Sequence, residues 1–325
     1  MTYQQDEKPV VDIEQSPSRQ PVSTSRPADA VDMSWLETLP ERATPFLSLS
    51  RLDRPVGIWL LALPCWIGLV FARIPAGLQW IDLWWAVMFG IGSVAMRGAG
   101  CTWNDITDQD LDTGVARTSG RPLPAGDVTQ REAYIWLAAQ LAVGFLVWLC
   151  LPGFAKLIAF AAIPLVVAYP YMKRITWWPQ AWLGLTFNWG VLVAGATVGV
   201  FGFATMLLYV SLALWTIAYD TIYALEDRED DALMGIQSTA RLFGDKATTA
   251  SFGFHLAATT HMALAVYLIG AGRLGTSTAL AFLAHGVWQS FRLKASKGQD
   301  ALAVFKSNVW AGAIVLAGLI FSALF

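Results

Sequence analysis

Two acidic clusters dominate the chemistry that this sequence offers. On a helix, the first would present an amide and three carboxylates within an arc of about 100°. Its members are Asn104, Asp105, Asp108 and Asp112. The second would align three carboxylates along a helix, and they belong to Asp220, Asp227 and Asp231. Like charges at such spacing repel, and burial beside a membrane core destabilises them further unless a counter-charge is present.

Divalent cations are a counter-charge that suits both clusters. Oxygen ligands select hard ions such as Mg²⁺ or Mn²⁺ over zinc. Mg²⁺ usually takes one or two carboxylates and completes its shell with water and substrate phosphates. Two carboxylate stripes with basic residues nearby therefore predict a magnesium-dependent diphosphate site. The alternative is a solvated acidic loop, which the presence of two clusters at the ends of apolar stretches disfavours.

The residues around the clusters have the composition of a membrane protein. Hydrophobic residues make up 55% of the 325 residues and charged residues 14%, with a mean hydropathy of +0.48. A soluble domain has roughly 45–50% and 25%, respectively. The composition excludes a soluble enzyme or a disordered interaction protein for most of the chain. The net charge of −2 gives no electrostatic case for nucleic-acid binding.

Nine stretches are long and apolar enough to be membrane-spanning helices, which need about 20 residues each. They are about 56–72, 83–103, 132–151, 154–172, 179–199, 203–223, 250–270, 275–291 and 302–324. We expect an all-α fold, because lipid offers no partners to backbone groups outside a helix or a closed barrel.

The loops predict which way the protein faces. Lys and Arg are concentrated after the second, fourth, sixth and eighth stretches, eleven against three in the opposite loops. By the positive-inside rule, the N-terminus and both acidic clusters are expected in the cytoplasm. No secretory signal or transit peptide is recognisable, which favours the inner membrane of a bacterium.

The chain divides into three predicted parts. Residues 1–33 are rich in Ser, Pro, Gln and acidic residues and are expected to be a disordered tail. Residues 34–50 mix apolar and charged residues around two prolines, which is typical of an interfacial amphipathic segment. Residues 51–325 form the membrane domain.

Both acidic clusters resemble motifs of one family. Asn104 to Asp112 fits the NDxxDxxxD motif of the UbiA superfamily of intramembrane prenyltransferases. The second cluster has the form YDTIYAxxDxxDD, which is similar to the 4-hydroxybenzoate polyprenyltransferases of ubiquinone synthesis. Further matches are residues 51–57, 97–104, 117–126, 169–174 and 235–244. One departure is Gln237, where the family often has Lys.

The resemblance implies a nine-helix bundle around a central cavity, with both motifs under a cytoplasmic cap. It implies that Mg²⁺ ions on a polyprenyl diphosphate are held by Asn104, Asp108, Asp112, Asp227 and Asp231. Asp105, at the edge of the arc, is a further candidate. Asp220, deeper in its helix, would serve the phenol or a metal.

The resemblance also implies roles for basic and aromatic residues. Arg54 and Lys173 are expected to contact diphosphate, helped by Arg117 and Arg121. Arg174 would meet the carboxylate of 4-hydroxybenzoate. Arg97 lies two helical turns deeper than Asn104, and a charged residue within a span indicates function. Tyr219 and Tyr223 are expected to lie near the reacting groups.

The implied reaction joins a polyprenyl chain to the ring carbon ortho to the phenol. Magnesium and basic groups stabilise the departing diphosphate. The allyl cation that forms must be kept from water, which apolar helix walls achieve. Two alternatives remain open: another aromatic acceptor, and an ion-coupled transporter, a class in which intramembrane acids also occur.

Overall fold

A computed structural model describes Pro40 and residues 42–113 and 120–325, with only the backbone for residues 110–113. The predicted tail, residues 1–33, lies outside the described residues. Fifteen α-helices occur in the described part, and no strand does. They are α1 Thr44–Leu49, α2 Val56–Arg73, α3 Trp80–Thr113, α4 Pro122–Ala125, α5 Gln130–Cys150, α6 Gly153–Ala161, α7 Ile163–Ile175, α8 Pro179–Phe187, α9 Trp189–Thr197, α10 Phe203–Tyr223, α11 Arg228–Leu233, α12 Thr239–Phe243, α13 Ala247–Leu268, α14 Gly272–Ala295 and α15 Ala301–Leu324.

Each of the nine predicted stretches contains a helix or a pair of helices. By length and composition, five segments of the described chain could cross a membrane, one of them formed by α6 and α7 together. The all-α prediction is confirmed for the described chain, while the count of nine spans stays a prediction.

Two of the predicted stretches each contain two helices instead of one. Pro164 lies in the first turn of α7, where its missing N–H separates α7 from α6. Between α8 and α9 lies buried Asn188, whose Nδ2 donates to the Gly184 carbonyl at 2.8 Å and to Thr216 Oγ1 at 2.7 Å. A side chain that takes over backbone hydrogen bonding favours a helix end over a helix interior.

The bundle is built around α10. Helices α8, α13 and α15 pack against α10, and α15 also packs against α2. The main core contains Trp215 and Tyr219 of α10, Phe71 of α2 and Phe282 of α14. In an apolar stretch of 18 residues, 61% of the residues are buried in α2 and in α10, against 11% in α5. Helix α5 therefore leaves most of its apolar surface for lipid.

The length of α3 carries the first acidic motif past the membrane core. Its 34 residues span about 50 Å, whereas the hydrocarbon core is about 30 Å thick. The end of α3 packs beneath α1 and α4, where Leu49, Ile106 and Leu123 form a small buried cluster. The described part of the predicted interfacial segment thus packs on the protein itself through Leu49.

Candidate active site

Asp108 is the centre of the first motif. Its side chain is fully buried and accepts a hydrogen bond from Asn104 Nδ2, one helical turn earlier, at 3.0 Å. Lys173 Nζ donates to Oδ2 of Asp108, and Arg174 Nη2 donates to Oδ1 at 2.8 Å. The end of α7 therefore delivers two positive charges to one carboxylate. Basic residues in the last turn of a helix are favoured by its dipole.

Asp105 lies three residues before Asp108 on the same side of α3, but it has different partners. Nη2 of Arg51 lies 2.7 Å and 2.9 Å from its two oxygens, and Nη1 of Arg121 lies 3.4 Å from Oδ1. Burial lowers the pKa of Arg51, but Asp105, Cys101 and Asp53 together raise it above its ordinary value, so the guanidinium stays charged. Both oxygens of Asp105 are occupied by Arg51, which leaves Asp105 out of the ligand set proposed below.

The second motif is divided between two helices, contrary to the predicted single stripe. Helix α10 ends at Tyr223, three residues after Asp220, and α11 begins at Arg228, after Asp227. Asp231 therefore belongs to a separate short helix. The break has a physical reason, because a continuous helix would stack these like charges along one face.

The loop that carries the second motif is fastened at two points. Nη1 of Arg241 donates to the Asp231 carbonyl at 3.2 Å and to the Ile236 carbonyl. The backbone N–H of Gln237 donates to the Lys173 carbonyl at 2.9 Å. Both acidic motifs are thus tied to the end of α7, since Lys173 also contacts Asp108.

A polar cluster lies deeper in the bundle. The charges of Arg97 and Asp227 both act on Asp220. Tyr169 lies within electrostatic reach of Asp220, Arg97 and Asp108. The guanidinium of Arg97 is 5.4 Å from the ring centroid of Phe187, and its buried Nε has no hydrogen-bond partner in the described chain. This cluster connects the two motifs below the helix ends.

The two predicted tyrosines of α10 belong to an aromatic group beside this cluster. Tyr219 is buried with its ring 5.3 Å from that of Trp215, and its hydroxyl accepts from Thr216 Oγ1 at 3.1 Å. Tyr223 packs on Phe305 at 4.4 Å between centroids. These rings form an apolar wall next to Asp220.

The remaining predicted residues have other surroundings. Nε of Arg54 lies 3.3 Å from the neighbouring Asp53. Arg117 and the side chain of Asp112 lie outside the described residues. Where side chains are described, no three His, Cys, Asp or Glu residues lie close enough to hold a metal ion by themselves. Arg51 and Arg241 were not predicted to organise the site, although both lie within motifs that the sequence shares with the family.

Comparison with known proteins identifies the family. Residues 61–322 match the UbiA prenyltransferase family. The chain belongs to this family. Over 289 residues it is 43% identical to the mitochondrial 4-hydroxybenzoate polyprenyltransferase of Aedes aegypti, covering 86% of this chain and 64% of that enzyme. It is 41% identical to the Bos taurus enzyme of the same name over 312 residues, covering 94% and 81%.

Solved UbiA structures share the fold. The apo structure of a UbiA homologue from Aeropyrum pernix K1 has a TM-score of 0.68 and 27% identity, over 81% of this chain and 97% of that one. A homologue from Archaeoglobus fulgidus, bound to GPP and Mg²⁺, has a TM-score of 0.65 and 17% identity, over 86% and 100%. The predicted family, the all-α membrane fold and the class of enzyme, a membrane prenyltransferase, are confirmed.

The predicted location in a bacterial inner membrane is contradicted. The relatives from Aedes aegypti and Bos taurus are mitochondrial, as is an Arabidopsis thaliana relative that is 38% identical over 292 residues. Hydropathy and loop charge report the presence of a bilayer, and they do not distinguish the cell or organelle that contains it. The multi-pass membrane character is supported.

Proposed function

We propose that this UbiA-family enzyme transfers a polyprenyl group from an allylic polyprenyl diphosphate to 4-hydroxybenzoate, at the ring carbon ortho to the hydroxyl. The observation that carries the proposal is the buried Asp108, which binds Lys173 and Arg174 and lies near the deeper Arg97–Asp220 cluster. This arrangement offers one polar level for a diphosphate and a second level, farther into the bundle, for a small aromatic acid.

The outer level suits a diphosphate with magnesium. The oxygen donors of Asn104, Asp108, Asp112, Asp227 and Asp231 are of the kind that Mg²⁺ prefers. Because no three acidic groups of the described side chains converge, we propose that substrate phosphate oxygens complete the ligand shell. Mg²⁺ held there would neutralise charge on the departing diphosphate. The GPP and Mg²⁺ bound to the Archaeoglobus fulgidus homologue support this proposal.

Lys173 and Arg174 have a second role once the diphosphate is bound. Both are paired with Asp108 in this structure. An ion pair with one carboxylate can be exchanged for contacts with phosphate oxygens, which also accept charge-assisted hydrogen bonds. We propose that Lys173 moves to the diphosphate, where its charge stabilises the leaving group. We propose that Arg174, whose side chain is about two-fifths exposed, meets the acceptor's carboxylate.

The inner level suits the phenol end of the acceptor. Bond formation at the ring carbon generates a cationic ring, which must lose its proton to become aromatic again. Asp220 is the carboxylate nearest this level, and we propose that it receives that proton or holds the phenol. The rings of Tyr219 and Tyr223 line the apolar wall beside it, where aromatic faces can stabilise an allyl cation.

The test is a prenyl-transfer assay on purified protein in lipid vesicles, with 4-hydroxybenzoate and geranyl diphosphate. The proposal predicts a prenylated hydroxybenzoate that requires Mg²⁺ and falls by at least about a hundredfold in Asp108→Asn and Asp227→Asn. Asp300→Asn is the matched control, because the Asp300 carboxylate pairs with Arg292 and both side chains are partly exposed. Product formation that is independent of Mg²⁺, or equal in all three variants, would contradict the proposal.

A further inference from the structure

Arg97 is held by packing instead of hydrogen bonds. In the described chain it makes no hydrogen bond or direct ion pair, and its buried Nε has no partner. The ring of Phe187, the last residue of α8, lies 5.4 Å from the guanidinium carbon. Gly57, in the first turn of α2, lies against the guanidinium from another helix. Two apolar surfaces therefore fix the position of a charged group.

Gly57 packs closely against the Arg97 guanidinium. A Cβ built on Gly57 would lie 2.6 Å from Arg97 Nε, 2.7 Å from Nη2 and 2.9 Å from Cζ. All three distances are shorter than real Cβ atoms show, so any side chain at this position must displace the guanidinium. Gly57 lies in a helix and needs no left-handed backbone. Space for Arg97 is therefore the reason for glycine here, since Gly destabilises a helix by about 1 kcal/mol relative to Ala.

Phe187 provides the second surface against Arg97. A guanidinium within about 6 Å of an aromatic centroid is attracted to the ring face. This attraction leaves the N–H groups of Arg97 available for an anionic or phenolic oxygen. The charge of Arg97 acts on Asp220 without a direct ion pair in the described chain, so both groups are open to contact with one small ligand.

We propose that Gly57 and Phe187 are positioning residues that orient Arg97 toward the aromatic acceptor and thereby set its affinity. The inference rests on the proposed function. The diphosphate is assigned to the outer level at Asp108 and Lys173, so a displaced Arg97 should affect the acceptor and spare the donor. Gly57 and Phe187 do not themselves touch the reacting atoms.

The first test is the steady-state kinetics of Gly57→Ala, with Gly253→Ala as the matched control. Gly253 is also helical, and a Cβ there would meet nothing within 4 Å. We expect KM for 4-hydroxybenzoate to rise roughly 10- to 100-fold in Gly57→Ala, while KM for the diphosphate changes less than about twofold. Gly253→Ala should match wild type in both. Equal changes in both KM values, or no change, would overturn the inference.

The second test separates positioning from general packing. Phe187→Leu should raise the acceptor KM, and Phe187→Tyr, which keeps the ring, should restore it. In an Arg97→Lys background the guanidinium is absent, so Gly57→Ala should raise KM for the acceptor by less than about a further twofold. If Gly57→Ala raised KM for the acceptor as much in that background as in wild type, Gly57 would act independently of Arg97. If wild-type protein makes no prenylated hydroxybenzoate at all, it is the proposed function that fails.

Discussion

The buried pair between Arg51 and Asp105 is predicted to stabilise the fold and not to bind magnesium. Asp105 is fully buried, and Arg51 lies within 2.7 Å and 2.9 Å of its two oxygens. Asp105→Asn keeps the shape but removes the negative charge, which leaves Arg51 charged in a buried position. Removing one partner of a buried pair typically destabilises a protein by about 3–5 kcal/mol. Arg121, 3.4 Å from Asp105, would lose this contact as well.

The comparison with a surface pair sets the scale of the expected effect. The side chains of Arg292 and Asp300 are 44% and 39% exposed, and exposed pairs contribute about 0–1 kcal/mol. Asp105→Asn should therefore lower the free energy of unfolding by about 3 kcal/mol more than Asp300→Asn. That difference corresponds to roughly a hundredfold in the ratio of folded to unfolded protein.

The assay is denaturant unfolding of both variants in the same detergent, followed by tryptophan fluorescence. Magnesium titrations of prenyl transfer, made under conditions in which both proteins are folded, give the second readout. We expect a lower unfolding midpoint for Asp105→Asn and an unchanged half-saturating Mg²⁺ concentration. Asp105 would instead be a metal ligand if Asp105→Asn had the same unfolding midpoint as Asp300→Asn but needed more Mg²⁺ for half-maximal activity.

Two further predictions concern the end of α7 and the loop of the second motif. Lys173→Met should raise KM for the diphosphate roughly 10- to 100-fold, because a charge-assisted contact is lost. KM for 4-hydroxybenzoate should change little. If initial-rate kinetics showed the reverse pattern, Lys173 would be assigned to the acceptor. Arg241→Ala removes the hydrogen bonds from Arg241 to the Asp231 and Ile236 carbonyls. The half-saturating Mg²⁺ concentration should therefore rise several-fold in a titration of activity. An unchanged concentration would mean that the loop is held by other contacts.

The sequence predicts the helices well because lipid restricts the choices. A chain in a bilayer must satisfy its backbone hydrogen bonds internally, so apolar stretches of the right length indicate helices. The breaks within stretches depend on single residues, and only the structure shows that Asn188 bonds to Thr216 of another helix. The break between Asp220 and Asp227 was likewise missed, since a helical period continues in the sequence where the chain turns.

The candidate site was predicted in part. The motif spacing indicates that Asn104 and Asp108 share a face, and the structure joins them by a hydrogen bond. The partners across helices were not predictable from spacing, because Arg51 and Asp105 are 54 positions apart and Lys173 and Asp108 are 65 apart. Carboxylates of one stripe thus have different partners, Arg51 for Asp105 and Lys173 with Arg174 for Asp108.

We propose that both acidic motifs bind one diphosphate through magnesium. The most direct measurement is calorimetric binding of a non-ionisable thiolodiphosphate analogue of geranyl diphosphate, with and without Mg²⁺, to wild type, Asp108→Asn, Asp227→Asn and Asp300→Asn. We expect Mg²⁺-dependent binding in wild type and Asp300→Asn, and loss of binding in Asp108→Asn and Asp227→Asn. Binding that is independent of Mg²⁺, or that survives loss of either motif, would contradict it.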